Sequence, residues 1–215
     1  MERRYSQKNR IQSIINMFYE WSYPNLTYAG YLAVSESDDE KMQWYDPLMG
    51  VPLPTSMNEW EPPLLEQYLG DGKKKRKPSP IGDAPSSGVI HLVSQKAVDA
   101  LSDIFDKHAK LYPVKLKDAP NEDFYMIVVT TEVDCLDREK STGKRTGYEK
   151  RPEYFSSIHT WVFDESKLEG VDLFVLPDSK TTCYVSERFK QRVLYSGLKG
   201  FGFVKEFWDD EPLIS

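Results

Sequence analysis

The stretch Cys183-Tyr184-Val185-Ser186-Glu187-Arg188-Phe189-Lys190-Gln191-Arg192-Val193-Leu194-Tyr195-Ser196-Gly197-Leu198-Lys199-Gly200-Phe201-Gly202-Phe203-Val204 reads as one folding unit with its punctuation in place. Thr181 to Val185 is short and β-prone. Ser186 stands at a helix N-cap, where its hydroxyl can accept an unpaired N–H of the first turn. Phe189, Val193 and Leu194 recur at helical spacing as an apolar stripe, with Arg188, Lys190, Gln191 and Arg192 on the other side. Gly197 or Gly200 can supply the left-handed residue that ends the helix. Phe201, Phe203 and Phe207 then alternate as a half-buried strand requires. The unit is strand, capped helix, glycine stop, strand.

The same grammar occurs once earlier. Val89 to Val98 leads into Ala97, Val98, Leu101, Ile104 and Phe105 at helical spacing, with an end expected near His108 to Lys110 and an extended segment over Leu111 to Leu116. Both copies read Val-Ser, then Gln or Glu, then Lys or Arg, then a helix. Two copies do not make a repeat array. A strand followed by a serine-capped helix is also common, so an internal echo and a coincidence both fit the letters.

Working outward, Asp123 to Val133 holds a near-continuous apolar run, the mark of a central strand buried on both faces. Strands are also predicted at Tyr28 to Val34, with Gly30 a bulge or close-approach position, at Ile158 to Phe163 and at Val171 to Leu176. Lys140 to Pro152 reads as a loop or hairpin tip, and Asp164 to Leu168 as a turn or short helix. Residues 11 to 21 place Ile11, Ile14, Ile15 and Phe18 at helical spacing, although Met17-Phe18-Tyr19 can equally open a strand. The fold expected is α+β: a mixed, mainly antiparallel sheet packed by two principal helices, with an irregular N-terminal extension. The division expected is residues 1–85 as an irregular, acidic and aromatic region with a Pro/Lys-rich linker, and residues 86–215 as an α+β domain.

An ordered series of segments carries a resemblance. Leu-Val-Ser-Gln-Lys-Ala-Val-Asp-Ala-Leu, Tyr-Pro-Val, Asp-Cys-Leu-Asp-Arg-Glu-Lys-Ser, Phe-Asp-Glu-Ser-Lys-Leu-Glu-Gly, Val-Ser-Glu-Arg-Phe-Lys and Gly-Leu-Lys-Gly-Phe-Gly-Phe together resemble the myxobacterial-type immunity domain of bacterial polymorphic toxin systems. The resemblance spans residues 88 to 208 and is specific in its order rather than in any one segment. Residues before 85 resemble it only loosely, through Trp60, Pro62 and Pro63. It implies a non-enzymatic protein that binds the toxin domain of a cognate effector, with no cofactor and no metal.

Composition sets the outer bounds. At 40% hydrophobic and 13% aromatic residues the chain can build a real core, while 29% charged residues and a mean hydropathy of −0.57 point to a soluble protein. No run approaches the roughly 18 apolar residues of a membrane helix. The basic start lacks an apolar h-region, so no secretory signal is expected, and Cys135 and Cys183 read as reduced thiols of a cytoplasmic protein. The net charge of −6 argues against a nucleic-acid binder and suits a face complementary to a basic protein.

That acidity is concentrated. From Glu36 to Glu66 eight carboxylates stand against Lys41 alone, so the segment is more negative than the whole chain. Asp38, Asp39, Glu40, Trp44, Glu59, Trp60 and Glu61 are the partner-binding residues expected there, aromatic anchors set among carboxylates. An ordinary loop-rich wrap around the core reads the same composition. The basic run Lys73 to Lys77, followed by Pro, Ser and Gly, reads as a linker or exposed loop rather than a phosphate site, because no aromatics interleave it.

Catalytic patterns are weak. His91, His108 and His159 share no ligand spacing, and Gly197, Gly200 and Gly202 follow a helix and precede a strand, the reverse of a dinucleotide fingerprint. Asp134 and Asp137, at the exit of the central strand, are the best alternative: two carboxylates able to share a proton or a divalent metal. Asp and Ser at strand exits also commonly bond the turning backbone. Beside the immunity reading therefore stand a metal-dependent enzyme using Asp134 and Asp137, and an adaptor that uses the acidic aromatic segment on some other protein.

Overall fold

A computed structural model describes residues 17–23, 27–33, 57–70, 75–88, 90–146, 152–205 and 213–214. The helical pattern over residues 11–16, the strand end at Val34, the binding residues Asp38, Asp39, Glu40 and Trp44, and the strand position Phe207 expected from the sequence lie outside these residues. Strand β1 is Phe18–Ser22, so the strand alternative holds there. The first sheet takes β2 (Tyr31–Ala33), β3 (Leu64–Gln67), β4 (Ser86–Ser87), β5 (Ile90–Ser94), β6 (Ala109–Leu116) and β7 (Phe124–Val129), in the order β2-β3-β6-β7-β5-β4. A two-stranded hairpin joins β8 (Thr142–Arg145) to β9 (Phe155–Thr160). The remaining sheet adds β10 (Leu173–Leu176), β11 (Ser179–Ser186), β12 (Gly202–Val204) and β13 (Leu213–Ile214), in the order β10-β11-β1-β12-β13. Helix α1 is Gln95–His108 and helix α2 is Glu187–Tyr195. The architecture is α+β and mainly antiparallel, with β3 and β6 a parallel exception.

The six-stranded sheet curls back on itself. Gly30 bridges Ser86, and the Ser87 hydroxyl donates to the Tyr31 carbonyl at 3.0 Å, which brings the outer strands together. A Cβ at Gly30 would stand 3.1 Å from Ser86 Oγ, the close approach that a glycine permits. Ile90, Leu92, Tyr112, Val114, Phe124 and Met126 fill the inside of the curl. Their neighbours Val93 and Ile127 point the other way, into a core shared with both helices and with Tyr19, Trp21, Val175 and Val185 of the other sheet. Both faces of β7 are therefore covered, which is why its sequence is almost continuously apolar.

Helix α2 departs from its expected stripe. Phe189 and Val193 are fully buried, but Leu194 is 42% exposed. Leu194 is turned about 100° beyond Val193, and on so short a helix only one i, i+4 row faces the core. Lys190, expected on the polar side, is buried instead, with Nζ 4.0 Å over the Tyr19 ring. Gly197 ends the helix at φ +60°: its N–H bonds Leu194 O at 3.1 Å and the Leu198 N–H bonds Val193 O at 3.2 Å. That is the pair of hydrogen bonds of a Schellman cap.

The two strand-helix units share more than their letters. Ser94 Oγ accepts the Ala97 N–H and Ser186 Oγ accepts the Phe189 N–H, each at 3.2 Å. Each serine hydroxyl donates to an aspartate, Asp83 at 2.8 Å and Asp172 at 2.6 Å. Each aspartate pairs with the base two residues past its serine, Lys96 or Arg188. The residue between serine and base accepts a tyrosine hydroxyl at 2.6 Å, Tyr125 to Gln95 and Tyr19 to Glu187. Both tyrosines follow a phenylalanine on the adjacent antiparallel strand, in the same register: Ser94 opposite Phe124, Ser186 opposite Phe18. In each unit the Phe-Tyr strand lies between the two strands that the helix connects, β7 between β5 and β6, β1 between β11 and β12. The echo is one local structure built twice.

Each helix also ends against the loop that carries the other unit's bracing aspartate. Lys107 of α1 donates to Gly170 O at 2.5 Å, and the Asp172 N–H donates to His108 Nε2 at 3.3 Å. Past α2, the Lys199 N–H donates to Asp83 Oδ2 at 2.8 Å. Each bracing aspartate is therefore also tied to the far end of the other unit's helix.

Candidate functional site

The central strand β7 ends at Val129 rather than Val133, so Asp134 and Asp137 lie in the segment beyond it, and their carboxylates are already engaged. Asp134 Oδ1 pairs with Arg138 at 2.7 Å, and Arg138 also holds the buried Asp178 carboxylate at 2.5 Å. Asp137 accepts the Glu139 and Lys140 N–H groups at 3.1 and 3.2 Å and pairs with Lys140 Nζ at 2.7 Å. Lys140, through its hydrogen bonds to the side chain and backbone, holds the Asp137 carboxyl below its usual range. Asp137 thus fixes the turning backbone, the commonest task of an aspartate at a strand exit. Among the described residues no three His, Cys, Asp or Glu side chains converge as a metal would require. Burial pushes the Cys135 and Cys183 thiols up to about 12, which leaves little thiolate at neutral pH.

Of the acidic aromatic set, Glu59, Trp60 and Glu61 fall among the described residues. Glu59 closes a 3-10 turn, Met57–Glu59, and is exposed, as is Glu61. Trp60 between them is half-buried: Nε1 donates to Pro113 O at 2.8 Å, and its ring meets Tyr112 edge-on at 5.0 Å. The indole anchors this segment to the curled sheet and leaves the two carboxylates on its rim.

A groove of about 640 Å³ runs beside the start of α2, lined by Phe18, Glu165, Glu169, Asp172, Ser186 and Arg188. The 3-10 turn Glu165–Lys167, capped by Asp164, sets one wall. At its floor Asp172 holds both the Ser186 hydroxyl and the Arg188 guanidinium, and Arg188 reaches on to Asp103. Glu165 and Glu169 are exposed on the rim. The groove is thus wide, polar-floored and edged with carboxylates. Sequence reading passed over it because residues from β1, the 165–172 turn and α2 build it, and only the duplicated serine cap hinted at its floor.

Fold and surface define an α+β protein with a carboxylate-edged groove beside the start of α2. Residues 63–206, about two thirds of the chain, match the Immunity protein family (Imm11), and the chain belongs to that family. The match begins at the entry to β3, earlier than the resemblance at 88, and leaves β1 and β2 outside it. No curated protein matches the chain. Among the described residues no helix is long and apolar enough to cross a membrane.

Proposed function

We propose that this protein is the immunity partner of an antibacterial effector: it binds the effector's toxin domain in the cytoplasm and neutralises it by tight association, without chemistry of its own. Membership of an immunity family over residues 63–206 carries the reading. The engagement of Asp134 and Asp137 in a turn and in ion pairs supports a binding role over a catalytic one.

The net charge of −6 and the rims at Glu59, Glu61, Glu165 and Glu169 favour a basic toxin, a nuclease above all, because carboxylates can stand where substrate phosphates would bind. Asp38, Asp39, Glu40, Trp44, Glu59, Trp60 and Glu61 are the partner-binding residues of this reading. The test is co-expression with the effector C-terminal domain encoded beside this gene, scored by growth rescue and by co-purification. Rescue with a stable complex is the expected result. Rescue without a complex would point back to chemistry, and an acidic toxin would sink the nuclease assignment.

A further inference from the structure

The face of the five-stranded sheet turned away from the helices holds a carboxylate, Glu20, that finds no partner among the described residues. Phe18, Glu20 and Ser22 share that face of β1, because Tyr19 and Trp21 point into the core with the helices. Glu20 stands in the middle of the sheet, opposite Tyr184 of β11 and Val204 of β12. The hairpin β8–β9 closes over this face and leaves a cleft of about 250 Å³, lined by Glu20, Ser156, Ser157, Thr181, Thr182 and Tyr184. Among the described residues no hydrogen bond or ion pair reaches the Glu20 carboxylate. Burial raises its pKa above the usual carboxylate range.

A half-buried carboxylate without a counter-charge is costly to keep, and a folding role would normally bring it a partner. The surroundings point to what is missing. Hydroxyl side chains line the cleft with the carboxylate, and a hydroxyl oxygen can accept as well as donate. Ser156 Oγ already donates to Lys144 O at 3.1 Å, which leaves its lone pairs for an incoming donor. The volume falls below the roughly 300–1,000 Å³ of small-molecule sites but suits one long side chain. Aromatic walls favour a cation, and Phe155 beside the cleft already carries the Arg145 guanidinium 4.1 Å over its ring.

We propose that this cleft takes a basic side chain of the toxin, an arginine or a lysine, paired with Glu20 and hydrogen-bonded by the surrounding hydroxyls. This rests on the immunity reading and deepens it. A side chain that would grip a substrate phosphate is held by a carboxylate instead. Glu20 lies outside the family match, while the hydroxyl-bearing residues that line the cleft with it lie inside it.

Two measurements on the full chain test it. In the first, n-butylguanidinium and n-butylammonium are titrated into wild type and Glu20→Gln, followed by amide NMR shifts, with sodium chloride as the ionic control. Saturable shifts around Glu20, Ser157 and Thr181 that vanish in Glu20→Gln are expected; no saturable shift in wild type overturns the proposal. The variant should melt no lower than wild type, since it removes an unpaired charge. A lower melting temperature with the shifts retained would assign Glu20 a structural role and overturn the site.

In the second, affinity for the adjacent toxin domain is compared. Glu20→Gln should weaken it about tenfold or more. Equal affinity of both proteins overturns the cleft and leaves the immunity reading intact. A toxin that fails to bind even wild type removes the immunity reading, and the first titration alone then decides whether the cleft binds cations.

Discussion

His91 and His108 are both neutral in the folded protein, by different means. His108 Nε2 accepts the Asp172 N–H, so its proton must sit on Nδ1, where Thr131 Oγ1 accepts it at 3.0 Å. His91 lies against the Trp21 ring with the Tyr23 hydroxyl 2.8 Å from Nδ1, and burial pushes its pKa down to about 3. In the unfolded chain the same imidazole takes up a proton near pH 6.5. Between those values the unfolded state binds more protons, so stability falls as pH drops below about 6.5, by up to about 1.4 kcal/mol per pH unit for one such group. His108, lowered by burial first, adds in the same direction. Glu20, raised by burial, acts with the opposite sign as its carboxyl ionises. Urea denaturation between about pH 5 and 7 should show the positive slope in wild type and a flatter one in His91→Gln. An unchanged slope would place the proton uptake elsewhere.

The duplicated cap makes its prediction at the scale of the element. Removing the Ser186 hydroxyl leaves the Phe189 N–H without its acceptor and takes a donor from the buried Asp172. Ser186→Ala and Ser94→Ala should each cost about 1–2 kcal/mol in urea denaturation. Losses below about 0.3 kcal/mol at both sites would show that the helices do not depend on these caps. The hairpin beside the Glu20 cleft depends on a glycine for a different reason. A Cβ on Gly143 would lie 2.2 Å from Ser157 O and 2.9 Å from the Phe155 ring. Gly143→Ala should therefore strip amide-exchange protection from Thr142–Arg145 and Phe155–Thr160 while α1 and α2 keep theirs. Protection retained in the hairpin would mean that β8 and β9 can part without losing their pairing.

At the scale of the molecule, β1 is the middle strand of its sheet although it comes first among the described elements and lies outside the family match. Its removal would separate β11 from β12 and expose the floor under Phe189. A chain begun at residue 86 also lacks β2 and β3, which complete the curled sheet. Such a fragment should show no cooperative thermal transition; a sharp transition near that of the whole chain would make residue 86 a true folding boundary. Phe189 packs against Trp21, Phe105, Phe201 and Phe203, so it ties the two units together. Phe189→Ala should cost about 3–5 kcal/mol. Tyr195→Ala, at a ring 87% exposed, should change stability by about 0.5 kcal/mol or less.

Local grammar was sufficient for both helix starts and for the central strand, but not for β3, β4 or β8, whose short sequences carry no such signal. Ser94 and Ser186 mark helix starts, Gly197 or Gly200 marks a helix end and the run beginning at Phe124 marks a doubly covered strand, because caps, positive φ and apolar patterning act over a few residues. The ordered segments from 88 onward likewise carried the family. What the tertiary structure decided is where distant pieces meet. That Phe18-Tyr19 repeats the pairing of Phe124-Tyr125, that Asp83 and Asp172 brace the two serines, and that Glu20 shares a cleft with hydroxyl side chains all depend on contacts across long stretches of chain. Antiparallel pairing sets no limit on sequence separation, so neither spacing nor composition could reveal those partners, and the cleft they enclose exists only when the sheet is assembled.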